Sequence, residues 1–192
     1  MMKNYFPTMG NLLKESIESG TVIDKNGYPY LVCPILDGIP VMNPKVLRET
    51  IDLLKNIGQF DCDLILAPEA MSLPLAIPLA LELEIPYSVI RKRPYGLDGE
   101  IEIGTTTGYS KSSMYINGLK GGERIVIVDD VVSTGGTLKA IIDALREIDC
   151  TVTEVLVAVD KSDDISEVSE RLGVDVRAAV KLRVENGIPK VN

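Results

Sequence analysis

The stretch "RIVIVDDVVSTGGTLKAI", residues 124–141, constrains this chain more than any other. Its apolar start, residues 124–128, is rich in β-branched side chains and reads as a buried strand. The run ends in two adjacent carboxylates, Asp129 and Asp130. A turn of hydroxyls and glycines follows, Ser133, Thr134, Gly135, Gly136 and Thr137, and helical spacing resumes over residues 136–148. A strand that passes so directly into a helix fits an alternating βα arrangement, and the chain keeps that rhythm elsewhere. Asn43-Pro44 supplies an N-cap and a first-turn proline for a helix over residues 44–57. Short strands at residues 63–67 ("DLILA") and 87–90 ("YSVI") flank a helix over residues 73–83, which contains Pro74 and Pro78. A further strand covers residues 152–159, "VTEVLVAV". The expected fold class is therefore α/β, a central mostly parallel sheet flanked by helices.

Two regions depart from the rhythm. Residues 91–113 carry glycines, threonines and charges with little apolar periodicity, as a mobile functional loop would. Both ends of the chain, residues 21–37 and 176–191, are β-rich and could pair as a small satellite sheet, with a hairpin turn at Asn186-Gly187.

Composition removes several function classes. With 192 residues a single domain is expected. A net charge of −8 argues against a nucleic-acid surface, which needs a basic stripe; "RKR" at residues 91–93 stands out against that background. The chain has no histidine, which excludes His-based metal sites and catalytic triads. Its three cysteines, Cys33, Cys62 and Cys150, are far apart and odd in number. They fit a reducing cytoplasm better than a disulfide framework or zinc site. The N-terminus "MMKNYFPTMG" has no apolar core, so no signal peptide is expected, and "SLPLAIPLALELEI" is too short and polar to span a membrane.

The chemistry of residues 129–137 can be read directly. In open α/β sheets, ligands bind beyond the carboxyl ends of the strands. Paired carboxylates there accept hydrogen bonds from sugar hydroxyls or help hold a divalent cation. The following turn opens a helix, where free N–H groups and the helix dipole attract an anion. Gly135 and Gly136 let the main chain approach a phosphate, and Ser133, Thr134 and Thr137 add hydroxyl donors. The ligand implied carries a vicinal diol and a phosphate, as ribose 5-phosphate does. A GxxxxGK[ST] loop is missing, "GTTTGYSK" at residues 104–111 having the wrong spacing, and a GxGxxG fingerprint is missing too.

"VIVDDVVSTGGT" resembles the phosphoribosyl-pyrophosphate signature of the type I phosphoribosyltransferases. "PILDGIP" (34–40), "EAMSLPLA" (69–76), "IRKRPYGLDGE" (90–100) and "TGYSKSSMYING" (107–118) extend the resemblance. It is nearest to the archaeal-type hypoxanthine/guanine phosphoribosyltransferases, which are related to the adenine enzymes. The resemblance implies a Rossmann-like core over about residues 44–160. It adds a small β-rich hood from about 21–40 and 161–192, and a flexible lid over about 93–113. The implied activity belongs to purine salvage: a pentosyltransferase moves ribose 5-phosphate from phosphoribosyl pyrophosphate to N9 of hypoxanthine or guanine. The products would be IMP or GMP and pyrophosphate.

Site roles follow by position. Asp129 and Asp130 would hold the ribose hydroxyls and bias a Mg²⁺ complex, in part through water. Ser133, Thr134, Gly135, Gly136 and Thr137 would grip the 5′-phosphate. Glu69, Ala70, Arg91 and Lys92 would address the pyrophosphate, with a cis peptide near Glu69-Ala70; Arg93 is left on the surface. Tyr109 and Lys111 would belong to the lid, and Lys161 would donate to purine O6. A homodimer is also implied, with no nucleic-acid or membrane partner. The sequence departs from the family at three places. Ser133 stands where hypoxanthine/guanine enzymes carry an aspartate near purine N7. Gly108 and Met71 replace a glutamate and an arginine usual in adenine enzymes. An adenine phosphoribosyltransferase, or a regulator that senses phosphoribosyl pyrophosphate without turnover, remain the alternatives.

Overall fold

The apolar runs become strands of one six-stranded sheet, three of them interior and residues 87–90 at an edge. A computed structural model describes residues 11–107 and 110–192. Along the chain come α1 (Asn11–Glu18), β1 (Thr21–Lys25), β2 (Tyr28–Val32), α2 (Pro34–Asp37), α3 (Pro44–Ile57), β3 (Leu64–Pro68), α4 (Leu73–Leu83) and β4 (Tyr87–Ile90). There follow β5 (Ile101–Thr107), β6 (Ser110–Ile116), β7 (Arg124–Val132), α5 (Gly136–Glu147), β8 (Thr151–Asp160), α6 (Ile165–Leu172), β9 (Val176–Glu185) and β10 (Ile188–Val191). The main sheet runs β10-β9-β8-β7-β3-β4, parallel except for the outer β9–β10 pair.

The strands obey the twofold side-chain period of a sheet buried on both faces. On β7, Val126 and Val128 pack with α1, α3 and α4, through Leu13, Leu54, Leu75 and Leu79. Ile125 and Ile127 point to the other face and meet Leu138, Ile142 and Leu145 of α5 and Leu172 of α6. Asn43 caps α3 as expected, its Oδ1 accepting the Lys45 N–H at 2.9 Å. Pro74 lies in the first turn of α4, where an N–H would have no helical partner. Pro78 is tolerated inside because Leu75, Ala76, Leu79 and Ala80 are buried against the sheet.

Three expectations are corrected. First, β7 does not stop at Val128: it runs to Val132, because β8 continues beside it to the Val132–Asp160 pair. Asp129 and Asp130 thus lie within a strand, not after it. Second, residues 101–107 and 110–116 are not irregular. β5 and β6 form an antiparallel hairpin whose Ile103, Met114 and Ile116 are buried with α5. Third, the two ends of the chain do not pair with each other. β1 and β2 form their own hairpin, whereas β9 and β10 extend the main sheet. Each end closes locally. Asn186-Gly187 has φ of 54° and 76°, and Asn26-Gly27 has 58° and 82°, as two-residue hairpin turns require. Such short loops cost little closure entropy, so neither end needs a distant partner.

One buried charge fixes the exit from α3. Glu154 on β8 is 3 % exposed. Its Oε1 accepts the N–H groups of Gln59 at 2.9 Å and Phe60 at 2.7 Å, and its Oε2 lies 3.4 Å from Arg177 Nη1. Removing the carboxylate strands the two N–H groups, whereas Arg177 keeps Asp175 and the Ile57 carbonyl as partners. Glu154→Ala is therefore expected to lower unfolding free energy by about 3 kcal/mol, read as a lower denaturant midpoint.

Candidate active site

The carboxyl ends of the parallel strands β3, β4, β7 and β8 lie at one edge of the sheet, and Glu69, Ala70, Arg91, Lys92, Asp129, Asp130, residues 133–137 and Lys161 stand at or just past them. Asp129 and Asp130 occupy successive positions on β7, and the Asp130 N–H donates to Asp129 Oδ1 at 2.9 Å. Burial, with the charge of Asp130 second, holds the Asp129 carboxyl well above the usual aspartate range. Burial also raises Asp130, opposed by its hydrogen bond with Asp129. Lys92 is near enough to pull both carboxyls downward. Two desolvated acids of this kind favour ligands that bring hydroxyl donors or a cation. Among the described residues no third acid joins them to form a metal cage.

Residues 133–137 turn directly into α5. Gly135 is its N-cap in the left-handed region, at φ 71°. A cavity of about 280 Å³ opens here, lined by Asp129, Ser133, Thr134, Gly135, Gly136 and Thr137. Gly135 is required twice over: by its φ, and because a Cβ would lie 3.1 Å from Val168 Cγ1.

The structure brings Glu69 together with Arg91 and Lys92, from the ends of β3 and β4. Glu69 Oε2 lies 3.0 Å from Arg91 Nη1, and Glu69 Oε1 accepts the Lys92 N–H at 2.6 Å. The Glu69-Ala70 peptide is cis, at the expected position. Ser72 is buried, its hydroxyl donating to the Pro68 carbonyl. Arg91 also anchors the β5–β6 hairpin through paired main-chain bonds with Tyr115 of 2.8 and 2.7 Å. Arg93 is exposed; its Nη2 donates to the Tyr95 hydroxyl at 3.2 Å and its guanidinium lies 5.3 Å from the centre of that ring. Of the two lid residues, Tyr109 lies outside the described residues. Lys111 stands on β6 at the Thr106 register position.

Lys161 follows β8. Its N–H donates to the Val132 carbonyl at 2.7 Å, which fixes it beside the end of β7. With Ser133, Thr134 and Arg171 it lines a cavity of about 310 Å³. Its Nζ donates to the Tyr28 hydroxyl at 3.3 Å and lies 5.4 Å from the centre of that ring. A larger cavity of about 520 Å³ runs along the outer side of β9, past Val176, Ala178 and Val180. It contains none of the sequence-predicted residues, so size alone does not locate the chemistry.

A phosphoribosyl transferase domain pattern matches residues 42–175. The chain belongs to this family. A hypoxanthine/guanine phosphoribosyltransferase of Aciduliprofundum boonei is 41% identical over 181 residues, 94% of this chain and 98% of that one. One from Methanothermobacter thermautotrophicus is 44% identical over 179 residues, 93% of each chain. Among solved structures, adenine phosphoribosyltransferase from Thermoanaerobacter pseudethanolicus superposes with a TM-score of 0.69 at 24% identity, covering 88% of this chain and 99% of that one. The Trypanosoma brucei adenine enzyme gives 0.71 at 19% identity, covering 88% and 78%. These likenesses establish the type I phosphoribosyltransferase fold.

Sequence reasoning missed part of this phosphoribosyltransferase site. Asp37, on α2, accepts the Tyr30 hydroxyl at 2.7 Å and the Cys33 N–H at 3.0 Å, and its charge adds to the rise of Asp130. The hydrogen bond to Asp37 and burial push Tyr30 up to about 12. Asp37 stands in "PILDGIP", so the motif was visible but its aim was not. Lys181 was missed entirely. It donates to Asp160 Oδ2 at 2.7 Å and to the Ser162 carbonyl at 2.5 Å, bracing the turn that carries Lys161.

A raised carboxyl makes a signed prediction. Asp129 binds its proton more tightly folded than unfolded, so ionisation costs stability as pH rises above an unfolded value of about 3.9. Asp129→Asn removes that cost and keeps an acceptor for the Asp130 N–H. The variant should melt higher than the parent protein at pH 7, and the difference should vanish below about pH 4. Thermal melts at both pH values check it.

Proposed function

We propose that this chain is a purine-salvage phosphoribosyltransferase that transfers ribose 5-phosphate from phosphoribosyl pyrophosphate to N9 of hypoxanthine or guanine. One observation carries the base assignment: Lys161 lines the same cavity as Ser133 and Thr134. An ammonium only donates hydrogen bonds, so it accepts a 6-oxo group as partner and disfavours a 6-amino group. The two archaeal relatives named above, which match nearly the whole chain, support the same class.

In this reading Asp129 and Asp130 receive the 2- and 3-hydroxyls of the ribose. The N–H groups and hydroxyls of residues 133–137 bind the 5′-phosphate. As the C1–O bond breaks, its electron pair passes to pyrophosphate, and the ribose ring becomes cationic. Lys92, Arg91 and the main chain at Glu69 and Ala70 stabilise the charge that builds on pyrophosphate. N9 then bonds to C1 and gives up its proton. The chain has no histidine, and Ser133 is too weak a base, so the proton goes to water, a backbone carbonyl or a pyrophosphate oxygen. The rate comes mainly from positioning and electrostatics.

The donor set fits Mg²⁺ of a particular kind. Two half-buried carboxylates, with no third beside them among the described residues, suit a cation that keeps water and substrate oxygens as its other ligands. Asp129 and Asp130 would hold it, and when bound it would neutralise pyrophosphate charge. The β5–β6 pair would act as the lid that excludes water, a reading supported by its tie to Arg91. Among the described residues no helix is long and apolar enough to cross a membrane. A homodimer in the cytoplasm completes the reading.

The test is product formation with phosphoribosyl pyrophosphate and Mg²⁺, offering hypoxanthine, guanine and adenine separately. Hypoxanthine and guanine should turn over and adenine should not. Adenine turnover alone would make the chain an adenine enzyme; binding of phosphoribosyl pyrophosphate without turnover would make it a sensor. Lys161→Gln should lower kcat/KM for hypoxanthine by about 10–100-fold, the value of one charged hydrogen bond. The KM for phosphoribosyl pyrophosphate should stay within about twofold, because Lys161 addresses the base.

A further inference from the structure

The phosphate loop carries no cation of its own. Residues 133–137 are hydroxyls and glycines, and the first cation of α5, Lys139, is engaged by Asp143 at 2.6 Å. N–H groups and a helix dipole worth about half a charge leave a phosphate dianion largely unneutralised. A cation from another element reaches the loop. Arg171, in the last turn of α6, reaches back across 37 residues and donates from Nη2 to the Thr134 carbonyl. The same nitrogen lies 3.4 Å from where a Cβ on Gly135 would be, with Val168 of α6 packed at 3.1 Å. So α6 presses on the loop at two successive residues, with an apolar contact from Val168 and a guanidinium from Arg171.

We infer that Arg171 is a positioning residue for the 5′-phosphate subsite, holding the Thr134–Gly135 main chain in its anion-binding form and supplying the positive charge the loop lacks. The proposal rests on the phosphoribosyltransferase reading of this site. Two features of the chain support it. The Thr134 carbonyl is turned toward α6 by a charged donor, which withdraws its negative end from competition with a phosphate. Asp163, Asp164 and Glu167 line the same cavity, yet among the described residues no carboxylate forms an ion pair with Arg171. Only one of the five guanidinium N–H donors is needed for the carbonyl, and the fork geometry leaves others for an anion.

The experiment separates the two ends of the substrate. Calorimetry measures ribose 5-phosphate and, in the presence of Mg²⁺, pyrophosphate binding to the full chain, for the parent protein, Arg171→Met and Arg171→Lys. The parent protein should bind both. Arg171→Met should weaken ribose 5-phosphate by about tenfold or more and leave pyrophosphate within about twofold, the loss expected for a charge-assisted contact. Arg171→Lys should recover part of that loss, because it keeps the charge without the fork. Equal binding of ribose 5-phosphate by the parent and the Met variant would overturn the proposal. Parallel loss of both ligands would also overturn it, since a general loosening of the site has no preference between them. A parent protein that binds neither ligand would instead remove the phosphoribosyltransferase reading on which the proposal stands.

Discussion

The site depends on β7 being paired on both sides. β3 joins it over Leu64–Ile125 to Leu66–Ile127, and β8 follows it as far as Val132. Main-chain pairing carries Asp129 and Asp130 into a region that their side chains alone would avoid, because desolvating a carboxylate is costly. The cost appears as the raised pKa of both groups. It is offset by the apolar packing of Ile125, Val126, Ile127 and Val128, all fully buried, which holds the strand regardless of its acids.

From that strand the remaining parts take their places. The turn after Val132 can open α5 at once because Gly135 adopts a left-handed conformation. Lys161 is fixed to the same strand by its bond to the Val132 carbonyl. A second charged group is assembled separately, at the ends of β3 and β4, where Glu69 ties Arg91 and Lys92 together. The acid pair and this cationic group communicate through Lys92, whose charge opposes the rise of both carboxyls.

Legibility was uneven, and for physical reasons. The helix at Pro44–Ile57 was readable to the residue because Asn43 and Pro44 act locally. The hairpin turn at Asn186-Gly187 was readable for the same reason. The β5–β6 pair was not, since a polar sequence hides a sparse apolar set, Ile103, Met114 and Ile116, that only packing against α5 reveals. The end of β7 was misplaced because charged residues normally leave a sheet, and only the length of β8 beside it decides otherwise. Asp37 and Arg171 were invisible as site residues. Asp37 lies about ninety positions from the acid pair and Arg171 lies 37 from Thr134, and sequence spacing says nothing about contacts that far apart.

What the sequence by itself determined is the alternating βα order, the family, and the local chemistry of residues 129–137. Strand periodicity, caps and a glycine turn are written in neighbouring residues and need no distant partner. Tertiary structure decided how deeply Asp129 and Asp130 are buried and which cations face them. It also decided that the chain ends close as two separate hairpins, and that α6 supports the phosphate loop. Those outcomes depend on which strands lie side by side, and charge and burial act through space rather than along the chain.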